Sequence, residues 1–171
     1  LPMTSNFTAA NNTLLTAYTP DAGGNAWVNG VGSMKVTSNK ATWNALSTDL
    51  AQSLYDIEQE QCIITLLLTR TVSTAYGNVF FRYTDANNNL KVTADDNNLQ
   101  IYETIAGTPS VIFSDAAVAS FGDGAEHTIV ITVGNDLVSV TVDGNAIATT
   151  VATNAGLNGT IVGMEVYDAS A

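Results

Sequence analysis

Apolar and polar residues alternate with a period of two along most of the chain. Val79, Phe81 and Tyr83 fall on one side of one run. Leu90 and Val92, Leu99 and Ile101, Ile129, Ile131 and Val133, and Val138, Val140 and Val142 repeat the pattern. In an extended chain successive side chains point to opposite faces, so this period predicts half-buried antiparallel strands. Between the runs stand Asn87-Asn88-Asn89, Asp95 to Asn98, Gly134-Asn135-Asp136 and Asp143-Gly144-Asn145. Asn, Asp and Gly accept left-handed backbone angles at low cost, and each cluster reads as a hairpin connection. Further strands are predicted near 33–38, 40–45, 62–72, 110–114, 145–151 and 160–167, with one short helical turn near 46–54 capped by Ser47 or Thr48. Roughly a dozen strands exceed what a single open sheet usually holds. The expected fold class is therefore all-β, an antiparallel two-sheet sandwich, with residues 1–6 as a terminal arm and residues 7–171 as one domain.

Charge and composition narrow the partners. Five Lys+Arg stand against 16 Asp+Glu, for a formal net charge of -11. Such a surface repels phosphate backbones and anionic headgroups, so no nucleic-acid partner is expected. The apolar stretches, Cys62 to Ile64 and Leu66 to Leu68 among them, fall far short of the roughly 20 residues a membrane helix needs, and no membrane insertion is expected. The amino-terminal LPMTSNFTAANN has neither the basic nor the apolar segment of a signal peptide. The single cysteine, Cys62, lies in an apolar run, where a free thiol acts as a small buried hydrophobe. There is no GxGxxG, Walker loop, CxxC or HExxH. No cofactor is expected, and calcium is the one ion the sequence leaves open.

Three segments carry a resemblance: VFFRYTDANNNLKVTADDNNLQIY at 79–102, EHTIVITVGNDLVSVTVDGNAI at 126–147 and TIVGMEVYD at 160–168. NFTAANNTLLTAYTPDAGGNAWV followed by GSMKVTSNKA matches an opening strand, a Trp-bearing segment and a return strand. Over residues 7–168 the chain resembles the concanavalin A-like, laminin G-like jelly-roll superfamily, in the compact form found among phage structural proteins and bacterial surface proteins. The resemblance implies a buried core tryptophan at Trp27. It specifies architecture far better than activity.

Candidate chemistry is sparse. Asp85, Asn87 and Asn89 occupy the first, third and fifth places of an EF-hand loop, but the sixth is Leu90 and the twelfth Asp96, where Gly and a bidentate Glu are required. Laminin G-like domains often hold calcium with separate loops instead, and the resemblance makes Asp85, Asp95 and Asp96 the candidate ligands. Asp56, Glu58 and Glu60 follow at i, i+2 and i+4, which on a strand puts three carboxylates on one face, as in retaining glycosidases. Some concanavalin A-like hydrolases carry Glu-x-Asp-x-Glu. Here the first two acidic types are exchanged, and the shorter Asp falls short of an anomeric carbon. His127 has no partner that the sequence names, and is read as structural. Trp43, Tyr76 and Tyr102 are the candidate platforms for sugar rings.

These readings point to a non-enzymatic structural or adhesive module. The expectation is a virion surface component, a phage capsid decoration or tail-associated protein, with capsid or tail subunits as partners, attached through edge strands or the terminal arm. The alternative is a carbohydrate-binding module of a secreted or surface protein, with glycans as partners. Glycoside hydrolysis is the least favoured. The expected location is the virion surface or the extracellular space.

Overall fold

The alternating runs fold as strands because each has one apolar face to bury. The computed structural model describes residues 14–17, 26–29, 34–37, 40–43, 50–69, 75–95, 98–116, 121 and 123–168. Its strands are β1 (Val28–Asn29), β2 (Met34–Thr37), β3 (Lys40–Trp43), β4 (Leu50–Asp56), β5 (Cys62–Thr69), β6 (Ala75–Asp85), β7 (Asn88–Ala94), β8 (Leu99–Ile105), β9 (Thr108–Asp115), β10 (Glu126–Val133), β11 (Leu137–Val142), β12 (Asn145–Ala152) and β13 (Ile161–Asp168). Seven of them form one sheet in the order β1-β4-β13-β6-β7-β8-β9. Four form a second, β12-β11-β10-β5, while β2 and β3 make a separate hairpin. This is the antiparallel two-sheet sandwich that the alternation predicts.

Every second residue of each sheet meets the other in one core. Val79, Phe81, Leu90, Val92, Leu99 and Ile101 come from the larger sheet; Ile129, Ile131, Val133, Val138, Val140 and Val142 come from the smaller. Trp27 is buried, as the resemblance implies, and packs on Tyr55 with ring centroids 5.5 Å apart. The predicted turn at Asp143-Gly144 has φ of 51° and 78°, the left-handed pair of a tight hairpin. Ala106-Gly107 makes the same turn between β8 and β9, with φ of 49° and 79°. Nothing in an Ala-Gly pair announces it as strongly as Asn or Asp does.

Two expectations are corrected. Residues 50–54 are strand and not a helical turn, because β4 is paired on both sides, with β1 and with β13. Sheet pairing and burial of Gln52, Ser53, Leu54 and Tyr55 decide the conformation there over local propensity. Residues 46–49, like the arm at 1–6, lie outside the described residues. Tyr83 does not share a face with Val79 and Phe81. Gly163 pairs with Phe80 but Ile161 pairs with Tyr83, so β6 carries one extra residue at Arg82, whose φ is 47°. This bulge reverses the alternation and turns Tyr83 to the outer face.

Candidate ligand-binding face

The face of the larger sheet turned away from the core is built from the polar phase of the same strands. Register places Gln52 beside Glu165, Glu165 beside Asn78, Asn78 beside Thr93, Thr93 beside Gln100, and Gln100 beside Ser114. One row of polar side chains thus crosses six strands, about 24 Å at the usual strand spacing. Hydrogen bonds link its centre. Gln52 Nε2 donates to Glu165 Oε2 at 3.2 Å, Asn78 Nδ2 donates to Glu165 Oε1 at 2.5 Å, and the Thr93 hydroxyl donates to Asn78 Oδ1 at 2.6 Å. Glu165 is only 8% exposed. Its charge is held by two amides, and each carboxylate oxygen retains acceptor capacity.

A second row runs alongside: Leu54, Gly163, Phe80, Lys91 and Tyr102. Tyr102 is half-buried, and its hydroxyl donates to Gln100 Oε1 at 2.8 Å, which leaves the Gln100 amino group as a donor. The Lys91 ammonium stands 5.2 Å from the Tyr102 ring centroid and 5.9 Å from that of Phe80. Tyr83 meets Phe80 edge-on at 5.6 Å. Burial, and then the negative charges of Asp85 and Glu165, push the Tyr83 hydroxyl up from its ordinary range. It therefore stays a hydrogen-bond donor at neutral pH. Phe80 is buried, so the rings this face offers are those of the half-buried Tyr83 and Tyr102, and these beside the Gln100 amide suit a ligand with apolar faces and many hydroxyls.

The predicted site residues scatter over the fold. Tyr102 lies on this face, at its accessible side. Tyr76 lies on it too, paired with Tyr167, but one row removed from the polar line. Trp43 ends β3 opposite Met34, in the hairpin separate from the seven-stranded sheet, and its side chain is outside the described residues. Gln52, Asn78, Lys91, Thr93, Gln100 and Glu165 went unmarked by sequence reasoning. Their signal was the outward phase of each run, and above all an acid inside the apolar TIVGMEVY.

The structure does not bring Asp85 and Asp95 together as ligands of one calcium ion. Asp85 closes the β6–β7 hairpin: its Oδ1 accepts the Asn87 amide at 2.7 Å and the Asn88 side chain at 3.1 Å. Asp95 stands at the other end of β7, where its amide donates to the Asn98 carbonyl at 2.9 Å. A seven-residue strand separates them by about 20 Å, so the loops do not meet at one rim. Asp96 lies outside the described residues, and among the described residues no group of three acidic, His or Cys side chains converges on a metal position.

The acidic run at 56–60 is also corrected. Strand β4 ends at Asp56, whose Oδ1 accepts the Glu58 amide at 2.8 Å, and Glu58 has φ of 56°. The chain turns there, so the three carboxylates do not share a strand face. Glu58 and Glu60 instead border an open cleft with Gln59, Gln61 and Thr160. His127 does have partners: Asp143 Oδ2 at 2.8 Å and Asp123 Oδ1 at 3.2 Å. Cys62 is half-buried, and burial raises its thiol pKa against the lowering influence of Arg82, so it stays protonated. Among the described residues no helix is long and apolar enough to cross a membrane.

No family model and no curated protein sequence matches the chain. Solved structures do. The carbohydrate-binding module CBM66 from Bacillus subtilis superposes with a TM-score of 0.64 at 13% identity, over 83% of this chain and 88% of its own. Sheep galectin-11, in complex with glycerol, gives 0.53 at 11% identity, over 68% and 87%. The mixed linkage glucan GH16 protein of Bacteroides ovatus, in complex with a G4G4G3G product, gives 0.51 at 12% identity, over 98% and 79%. At these identities the likeness is one of fold: a jelly-roll β-sandwich. None of the three is described as a phage protein, and the phage-type subclass of the resemblance draws no support from them.

Proposed function

We propose that the protein is a non-enzymatic carbohydrate-binding module whose ligand lies on the outer face of the seven-stranded sheet. The observation that carries this reading is the polar row from Gln52 to Ser114: its buried centre, Gln52, Glu165, Asn78 and Thr93, is fixed by its own hydrogen bonds, and its accessible part is Gln100 and Ser114 with Tyr83 and Tyr102 beside them. The buried network holds the strands that present the Gln100 amide and the tyrosine hydroxyls, which bind hydroxyls at little ordering cost, and the tyrosine rings cover the apolar faces of a sugar. The likeness to CBM66 and to a galectin supports it.

Binding is favoured over hydrolysis by the spacing of the carboxylates that the described residues place on this face. Glycosidases work with two carboxyl groups about 5–9.5 Å apart. Beside Glu165, the acidic position of this face on neighbouring β4 is Asp56, four residues along the register and so about 13 Å away. An extracellular or cell-surface location belongs to the same proposal. The virion reading rests on the sequence resemblance alone, and co-purification with assembled capsids at fixed stoichiometry is the result that would restore it.

The test is a glycan array followed by calorimetry on the glycans that bind. Saturable binding is expected, weakened about fivefold or more in Tyr102→Ala, with no turnover of the bound polymer. Absence of saturable binding to neutral and acidic glycans alike would overturn the reading.

A further inference from the structure

We infer that two copies of this chain associate edge to edge through β5, so that their smaller sheets join into one eight-stranded antiparallel sheet across a twofold axis. Among the described residues β5 pairs with β10 on one side and with no strand on the other. Among the described residues the core is open along that edge. His127, Ile129, Ile131 and Val133 of β10 are all buried, whereas the residues opposite them, Leu68, Leu66, Ile64 and Cys62, are only half-buried although they belong to the same core. On the other face of the strand Ile63 is 71% and Leu67 62% exposed.

Edge strands are normally protected by a charge, a proline or a bulge. In a chain of net charge -11, the segment CIITLLLT carries no charge and no proline, and its register against β10 runs from Cys62 to Thr69 without a shift. The pattern itself names the occupant. Counting outward from Thr65, the pairs are Ile64 with Leu66, Ile63 with Leu67, and Cys62 with Leu68. When β5 meets a second β5 antiparallel about Thr65, apolar residues oppose apolar residues on both faces and Thr65 opposes its own copy. A strand of another protein has no reason to match on both faces at once. Because the contact is isologous, it closes at two copies and does not propagate. The inference is independent of what the larger sheet binds.

Position 65 sits on the axis and is exposed, which gives a direct test by sedimentation velocity over a wide concentration range. The unmodified chain is expected to dimerise. Thr65→Lys alone and Thr65→Glu alone each set like charges opposite one another and raise the dissociation constant about fivefold or more, with unchanged circular dichroism. An equimolar mixture of the two variants regains the dimer, because unlike charges then face each other. A chain that stays monomeric throughout, or a dimer that neither variant weakens, would sink the idea. So would a dimer lost on deleting residues 1–6 yet kept by Thr65→Lys, which would mean exchange of the terminal arm.

Discussion

His127 shows how much one residue depends on its surroundings. It is the second residue of β10, is 6% exposed, and holds Asp143 with one ring nitrogen and Asp123 with the other. Phe121 packs edge-on against it at 5.3 Å, and the second oxygen of Asp143 accepts the Thr128 amide at 2.8 Å. With both nitrogens engaged by carboxylates, the ring braces two loops and is not free to serve as a base. The Asp143 hydrogen bond leads the effects that raise the His127 pKa, while burial opposes it. Asp143 is lowered chiefly by His127, and Asp123 chiefly by the Ala125 amide. The raised histidine contributes stability that is full below its unfolded value, near 6.5, and is lost as pH rises through the folded value. The lowered aspartates contribute above about pH 4 and lose their share as pH falls. The melting temperature of the unmodified chain should therefore exceed that of His127→Gln most between about pH 4 and 6.5, with the gap narrowing on either side. A gap constant from pH 3 to 9 would show that the ring acts by packing alone.

Among the elements, β6 departs furthest from regular alternation. Its bulge at Arg82 lets one strand serve the core with Val79 and Phe81 and the outer face with Phe80 and Tyr83. The approach to β13 fits closely against that bulge. A methyl group on Gly159 would strike the Tyr83 carbonyl group, its carbon at 2.5 Å, and lie 2.8 Å from the Thr84 nitrogen. Backbone cannot yield as a side-chain tip can. Gly159→Ala should cost about 1–3 kcal/mol in urea unfolding. Gly134→Ala, where the nearest atom is at an ordinary 3.5 Å, should stay within about 0.5 kcal/mol of the parent. Equal midpoints for the two variants would mean that the β13 entrance is not tightly packed.

For the whole molecule the corresponding device is the Arg82 side chain, 4% exposed. Its guanidinium donates to the carbonyls of Glu60, Gly134 and Asn135 and to the Thr153 hydroxyl. It thereby ties the turn after β4, the β10–β11 turn and the segment after β12 at one end of the sandwich. A planar fork with five donors in fixed directions serves these four acceptors at once, which the three donors of a single ammonium nitrogen do not. Arg82→Met, which keeps the apolar stem, should lower stability by about 2–4 kcal/mol through orphaned carbonyls, and Arg82→Lys should recover little of it. Full recovery by lysine would reduce the role to charge alone.

The sequence by itself determined the class of fold, most strand positions and the hairpin turns, because a period of two and the left-handed tolerance of Asn, Asp and Gly are local properties. It also held Tyr102, as an aromatic on the outward phase of β8. Tertiary structure decided the rest. Asp56, Glu58 and Glu60 lost their common face to a turn, the aspartates at 85 and 95 separated to opposite ends of β7, and the residues at 50–54 became a strand between two partners. Gln52, Glu165, Asn78 and Thr93 come from four strands scattered along the chain, and only sheet register sets them in one row. A strand's own pattern says which side chains share a face. Which strands lie side by side depends on packing between segments far apart in the chain, and on that the polar row depends.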